Sequence, residues 1–223
     1  MALISAIVAS PRKPGRFDLL ADGEHVATVS LDILQRLQLS VGESYDDVAQ
    51  AVTHETALLA TYDRALNMLS ARARARTELR RLLVRKGEPA DLVDAALERL
   101  AEQGLLDDAQ FARQFARSKA LGTGISRRRL SQELGKRGVA RDVGDEAIGD
   151  VYQEEGLDDG ASIERVARKK YRTLAALEPD TQRRRLYGFL ARRGFDAADI
   201  GRVVKELVGS DPDEALIDEQ GED

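Results

Sequence analysis

One frame recurs three times along this chain: a base, then Leu-x-x-x-Leu-x-x-(Lys/Arg)-Gly. It stands at Arg76, Leu79, Leu83, Lys86, Gly87, at Arg127, Leu130, Leu134, Arg137, Gly138, and at Arg183, Leu186, Leu190, Arg193, Gly194. The copies begin 51 and then 56 residues apart. Self-similarity at such a period marks a repeat architecture. Leucines four apart share one helix face. The base–Gly pair then ends the helix, because glycine takes the left-handed position that a Cβ disfavours. Ten and thirteen residues past each glycine come Leu97 and Leu100, Ile148 and Val151, Val204 and Leu207. An apolar helix precedes each frame, carrying Ala65, Leu66, Leu69, or Phe111, Phe115, Ala116, or Ile163, Val166, Ala167. Each unit therefore reads as three helices. The expected fold is mainly α: three tandem three-helix repeats, 56–106, 107–155 and 156–208, forming a curved array. Units this small are expected to share their cores with neighbours.

Residues 1–55 break the helical period. Leu3-Ile4, Ile7-Val8, Phe17, Leu19-Leu20, Val26 and Val29 alternate in the manner of strands, and Asp22-Gly23 is a type I′ hairpin signal. Ser30 is placed to cap a short helix over Leu31–Leu37. The reading is a small N-terminal β-ribbon extension with one short helix, the long helical array starting near Thr56. This segment is acidic, with four bases against eight acids.

Composition removes several classes of function. With no Cys among 223 residues, disulfide scaffolds, Cys-based zinc sites and Cys nucleophiles are excluded. No apolar run approaches the roughly 18–20 residues of a membrane span. Met1–Ser10 lacks a basic flank and is followed by Pro-Arg-Lys-Pro, unlike a signal peptide. The expectation is a cytoplasmic protein without membrane contact. The net charge of −5 conceals an asymmetry: residues 209–223 carry seven acids and no base, an expected disordered tail, so 1–208 is net +2. Residues 71–86 carry seven bases against Glu78 alone. A basic stripe beside an acidic tail points to a polyanionic or acidic partner, with the tail as competitor.

Candidate catalytic groups reduce to structural ones. Asp107-Asp108 precedes Gln110 in a capping-box pattern, and Asp158-Asp159 reads the same way. His25 and His54 are isolated and expected on the surface. Gly122-Thr-Gly124-Ile-Ser126 before Arg127 has two readings: a loop ending in a serine cap, or an anion site at a helix N-terminus, the cap being favoured. No Gly-Lys-Ser/Thr follows, so it is not a nucleotide-binding P-loop. No catalytic set assembles, so neither enzymatic activity nor a cofactor or metal is expected.

The bases are the candidates for binding, because they recur in phase with the repeat. Arg72, Arg76 and Arg80 are spaced by four, with Arg81 adjacent; Arg127, Arg128 and Arg129 open the second basic helix, which ends in Lys136 and Arg137. Arg168 and Lys169 lie in the third unit, and Arg183, Arg184 and Arg185 are expected to open its basic helix. Guanidinium forks suit carboxylate and phosphate alike. Aromatics are sparse (five Phe, five Tyr), so base-stacking platforms are not expected and any DNA contact is electrostatic.

The run Gly104-Leu-Leu-Asp-Asp-Ala-Gln-Phe-Ala-Arg113, followed by Arg127-Arg-Arg-Leu-Ser-Gln-Glu-Leu-Gly-Lys-Arg-Gly-Val139, resembles the RecX family. The likeness covers about residues 60–208 and is strongest in the middle repeat. It implies tandem three-helix repeats with a basic concave face lying in the groove of the RecA filament on single-stranded DNA. It further implies blocked filament extension, promoted disassembly, depressed ATPase, strand-exchange and coprotease activities, a place in recombination, repair and the SOS response, and a monomer with weak direct DNA binding. The alternative is an autonomous DNA-binding protein built from helical repeats.

Overall fold

The computed structural model describes residues 1–209; most of the acidic tail lies outside the described residues. The chain divides into two compact units, Met1–Leu106 and a second beginning at Asp107. Ten α-helices and three strands are found among the described residues.

The first unit opens with β1 (Ile4–Ala9), β2 (Arg16–Ala21) and β3 (Glu24–Ser30), an antiparallel sheet in that order. Asp22 and Gly23 both have positive φ, 48° and 85°, as the type I′ turn requires. The other edge of β1 is covered by the segment before the next long helix: the Ile4 N–H donates to the Glu43 carbonyl (2.9 Å), and the Gly42 N–H donates to that of Ile4 (2.8 Å). The short helix α1 spans Leu31–Arg36, capped by the Ser30 hydroxyl, which accepts from the Ile33 N–H.

Helix α2 runs over Tyr45–Ala71, starting eleven residues before the expected Thr56 and passing unbroken through the 55/56 boundary. Its β-branched run, Val48, Val52, Thr53 and Thr56, weakens the helical signal in the sequence. Packing overrides that weakness. Val52 and Leu59 join Ile4, Leu19, Val29 and Ile33 in the core beneath the sheet. The C-terminal half of α2 packs with α3 (Arg76–Arg85) and α4 (Ala90–Glu102) around Ala65, Leu79, Leu83, Val93, Leu97 and Leu100.

The second unit holds two three-helix repeats. The first comprises α5 (Asp108–Ser118), α6 (Arg127–Lys136) and α7 (Arg141–Glu154); the second comprises α8 (Asp159–Arg172), α9 (Pro179–Arg192) and α10 (Ala197–Val208). The expected caps form: Asp107 accepts from the Ala109 and Gln110 N–H groups, and Asp158 from that of Ala161. Each repeat glycine, Gly87, Gly138 and Gly194, has φ between 84° and 92°. Beyond the first two, the Glu88 N–H donates to the Leu83 carbonyl (3.2 Å) and the Val139 N–H to the Leu134 carbonyl (3.2 Å), closing the helix ends.

The last repeat has an apolar core of its own, built on Ile163, Ala167, Leu186, Leu190, Phe195, Ile200 and Val203. The expected sharing of one core along the array gives way here to a polar seam. A π-helical turn, Lys119–Thr123, extends α5 and delivers a loop whose backbone meets the end of α9. The Ser126 N–H donates to the Arg193 carbonyl (3.1 Å), and the buried Ser126 hydroxyl donates to the Gly194 carbonyl (2.7 Å). The Arg193 Nε–H donates in return to the Thr123 carbonyl (3.1 Å).

Candidate cation-rich binding surfaces

In the first unit the candidate arginines are largely occupied. Arg72 does not share a helix face with Arg76 and Arg80: it is the extended C-cap of α2, outside α3, because the chain turns between the two helices. It pairs with Glu78, as does Arg74 at 2.9 Å. Arg76 and Arg80 do share a face, and that face looks at α4. Arg76 reaches Glu98 at 2.6 Å, and Arg80 forks onto the two oxygens of Asp94 at 2.6 and 2.8 Å. The guanidinium of Arg80 accordingly holds the Asp94 carboxyl below its ordinary value. Arg81 is exposed, and no ion pair involves it among the described residues.

In the second unit, Ser126 caps α6 by accepting from the Arg129 N–H (3.2 Å), so the favoured reading of the Gly122–Ser126 loop is correct. Arg127 stacks on the Tyr152 ring at 4.1 Å and lies 3.7 Å from Asp159. Burial, followed by neighbouring Asp159, pushes the Tyr152 phenol up. Arg128 donates to the Gly194 carbonyl at 3.3 Å. Arg129 and Arg137 both grip Glu133, at 2.9 and 2.8 Å, and Arg137 also covers the Phe115 ring. Lys136 is exposed and outside any ion pair among the described residues.

Helix α9 begins at Pro179, so Arg183 stands a full turn inside it instead of opening it; the proline supplies the first helical position. Arg183 pairs with Asp180. Arg184 and Arg185 are exposed and free of ion pairs among the described residues. Arg168 lies 3.5 Å from Glu164 and from Glu206. Lys169 faces a cleft with three bases outside the expected binding set, Arg165, Lys170 and Arg193. The spacing Arg165–Lys169 puts both on one face of α8; Arg193, the base of the third repeat frame, was legible only as a helix-end marker.

The remaining candidates resolve as structural groups. His25 is exposed beside the hairpin, 3.1 Å from the Thr28 hydroxyl, and His54 is exposed on α2. Among the described residues no cluster of His, Cys, Asp and Glu could hold a metal ion, and no helix is long and apolar enough to cross a membrane.

Profiles of three domains match in order: the first three-helix domain of RecX over residues 62–100, the second over 107–148 and the third over 158–204. The regulatory protein RecX of Mycolicibacterium vanbaalenii is 41% identical over 140 residues, covering 59% of this chain and 73% of that protein. This chain belongs to the RecX family. The regulatory protein RecX of Ectopseudomonas mendocina is 36% identical over 148 residues, 66% of this chain and 94% of its own length. A crystal structure of regulatory protein RecX superposes with a TM-score of 0.73 at 23% identity, over 93% of this chain and 98% of the other. The fold is thus that of RecX structures, and the three repeats read from the leucine–glycine frame are the three RecX domains. RecX is a family of regulatory proteins.

Proposed function

We propose that this chain restrains the RecA recombinase. It lies in the groove of the RecA filament on single-stranded DNA, blocks extension, favours disassembly, and so depresses ATPase, strand-exchange and coprotease activities. It acts by binding, as a cytoplasmic monomer, without catalysis or cofactor, within recombination, repair and the SOS response. Family membership carries this reading. The exposed cations outside ion pairs among the described residues, Arg81, Lys136, Arg184 and Arg185, support it, because they are available to carboxylates or phosphates at little desolvation cost. The paired arginines of the expected set are weaker contributors, although exposed ion pairs are worth little and can exchange their anion for a partner's.

The test is RecA ATPase on single-stranded DNA, with this protein added after filament assembly. Inhibition at amounts well below saturation of the DNA is expected. Loss of activity only when the DNA itself is titrated away contradicts the filament reading and favours an autonomous DNA binder.

A further inference from the structure

Each repeat forms a groove between its second and third helices, and the three grooves are lined differently. Four positions decide the lining: −11, −7, +7 and +11 from the repeat glycine. In the first repeat these are Arg76, Arg80, Asp94 and Glu98. Arg76 reaches Glu98 at 2.6 Å, and Arg80 forks onto Asp94 at 2.6 and 2.8 Å, so this groove carries its own carboxylates. In the middle repeat they are Arg127, Ser131, Asp145 and Gly149, and the Ser131 hydroxyl donates to Asp145 (2.7 Å). In the last repeat they are Arg183, Tyr187, Gly201 and Lys205. Both carboxylates are gone, and a base stands where the first repeat has Glu98.

The groove of the last repeat, between α9 and α10, has a volume of ≈ 580 Å³, and three bases, Arg183, Arg184 and Lys205, line it against Asp180 alone. Asp180 is engaged by Arg183. Arg184 and Lys205 are exposed and outside any ion pair among the described residues. Between them the groove is open: Tyr187 is 43% exposed, and a Cβ at Gly201 would meet no heavy atom within 4 Å.

Carboxylates to fill it lie close by. The chain leaves α10 at Gly209, which itself lines the groove, and Asp211, Asp213 and Glu214 follow within five residues. Helix α10 rises about 12 Å from Gly201 to Gly209, and four extended residues span about 13 Å. Asp211 and Asp213 therefore have the reach to meet Lys205 and to stand level with Gly201. A segment tethered so closely acts at an effective concentration on the order of millimolar. The basic stripe at 71–86, the expected target of the acidic tail, offers less, because Arg72, Arg74, Arg76 and Arg80 already hold carboxylates.

We propose that the α9–α10 groove is the docking site of this chain's own acidic segment, residues 211–214, whose carboxylates take the places that Asp94 and Glu98 fill in the first repeat. Arg184 and Lys205 receive them. A docked segment covers Arg184, so any other anion that approaches this side of α9 has to displace it. Docking needs no partner protein, so it stands or falls separately from the RecA reading.

Carbodiimide cross-linking of the full chain, read by mass spectrometry, tests it, because the reagent joins an amine only to a carboxylate in contact with it. Lys205 should be linked to Asp211, Asp213 or Glu214. Arg184→Glu should cut that yield roughly fivefold or more, through loss of one exposed ion pair and its replacement by repulsion. Arg192→Glu, the same change on α9 outside the groove, should leave the yield within about twofold. In the unmodified protein, raising salt to about 1 M, where the screening length is about 3 Å, should lower the yield roughly threefold. Absence of the link overturns the proposal. So does a yield indifferent to salt or equally sensitive to both variants, since sequence proximity alone would then account for it. Links formed between ¹⁴N and ¹⁵N copies in a mixed sample would assign the groove to a second copy and overturn it too.

Discussion

The Ser126 hydroxyl donates to the Gly194 carbonyl at 2.7 Å across 68 positions of sequence, in a buried hydrogen bond. The same oxygen accepts from the Arg129 N–H and caps α6. One side chain thus starts a helix of one repeat and fastens the helix end of the next.

Replacing Ser126 by Ala should cost about 2–3 kcal/mol, the sum of a lost cap and a buried carbonyl deprived of its best donor. Urea unfolding followed by circular dichroism measures it. A loss under about 0.5 kcal/mol would show that the Ser126 hydroxyl contributes little to stability as either cap or seam bond.

The repeat glycines should not be equivalent. A Cβ at Gly87 meets no heavy atom within 4 Å, so Gly87→Ala carries only the left-handed backbone penalty of about 1–2 kcal/mol. At Gly194 a Cβ would lie 2.6 Å from the Arg129 Cβ and 2.9 Å from the Ser126 Oγ, adding about 1–3 kcal/mol of overpacking. The chemical denaturation midpoint should therefore fall further for Gly194→Ala; equal shifts would refute the contact.

Glu133 gives a pH signature. The hydrogen bond from Arg137, aided by the charge of Arg129, holds its carboxyl below the ordinary glutamate value against the opposing effect of burial. A depressed folded-state value means that the stabilisation is complete above the ordinary value and disappears as pH falls through the lower one. Thermal midpoints should drop over that acid range, and Glu133→Gln, which cannot titrate, should show a flatter profile there. Identical pH profiles would discount the Arg137–Glu133–Arg129 cluster.

Arg184 and Arg185, exposed on α9 and outside any ion pair among the described residues, should matter to the partner and not to the fold. R184E/R185E is expected to weaken inhibition of RecA ATPase roughly tenfold, more at low salt than at high, with an unchanged circular dichroism spectrum. Undiminished inhibition would remove this part of α9 from the interface.

The repeats were legible because Leu79, Leu130 and Leu186 hold a fixed distance to a helix-ending glycine, and local chemistry sets both signals. Asp22-Gly23 announced its hairpin for the same reason. Helix α2 was not legible over its first eleven residues, since Val48 and Val52 become helical only through burial against a sheet formed elsewhere. The spacing of Arg76 and Arg80 identified their shared face correctly. That Asp94 and Glu98 face them depends on how α4 folds back, which no local spacing records. The cleft was hidden more deeply, because Arg193 meets Thr123 only through the seam between repeats.

Helix α2 gives Val52 and Leu59 to the sheet core and Ala65 to the core of the first repeat. The compositional border near Thr56 is therefore not a structural one: this chain begun at Thr56 would lose the buried side chain of Val52 and bare the apolar flank of Leu59. The ribbon and the repeat behind it share a common spine, and damage to either should be felt by both.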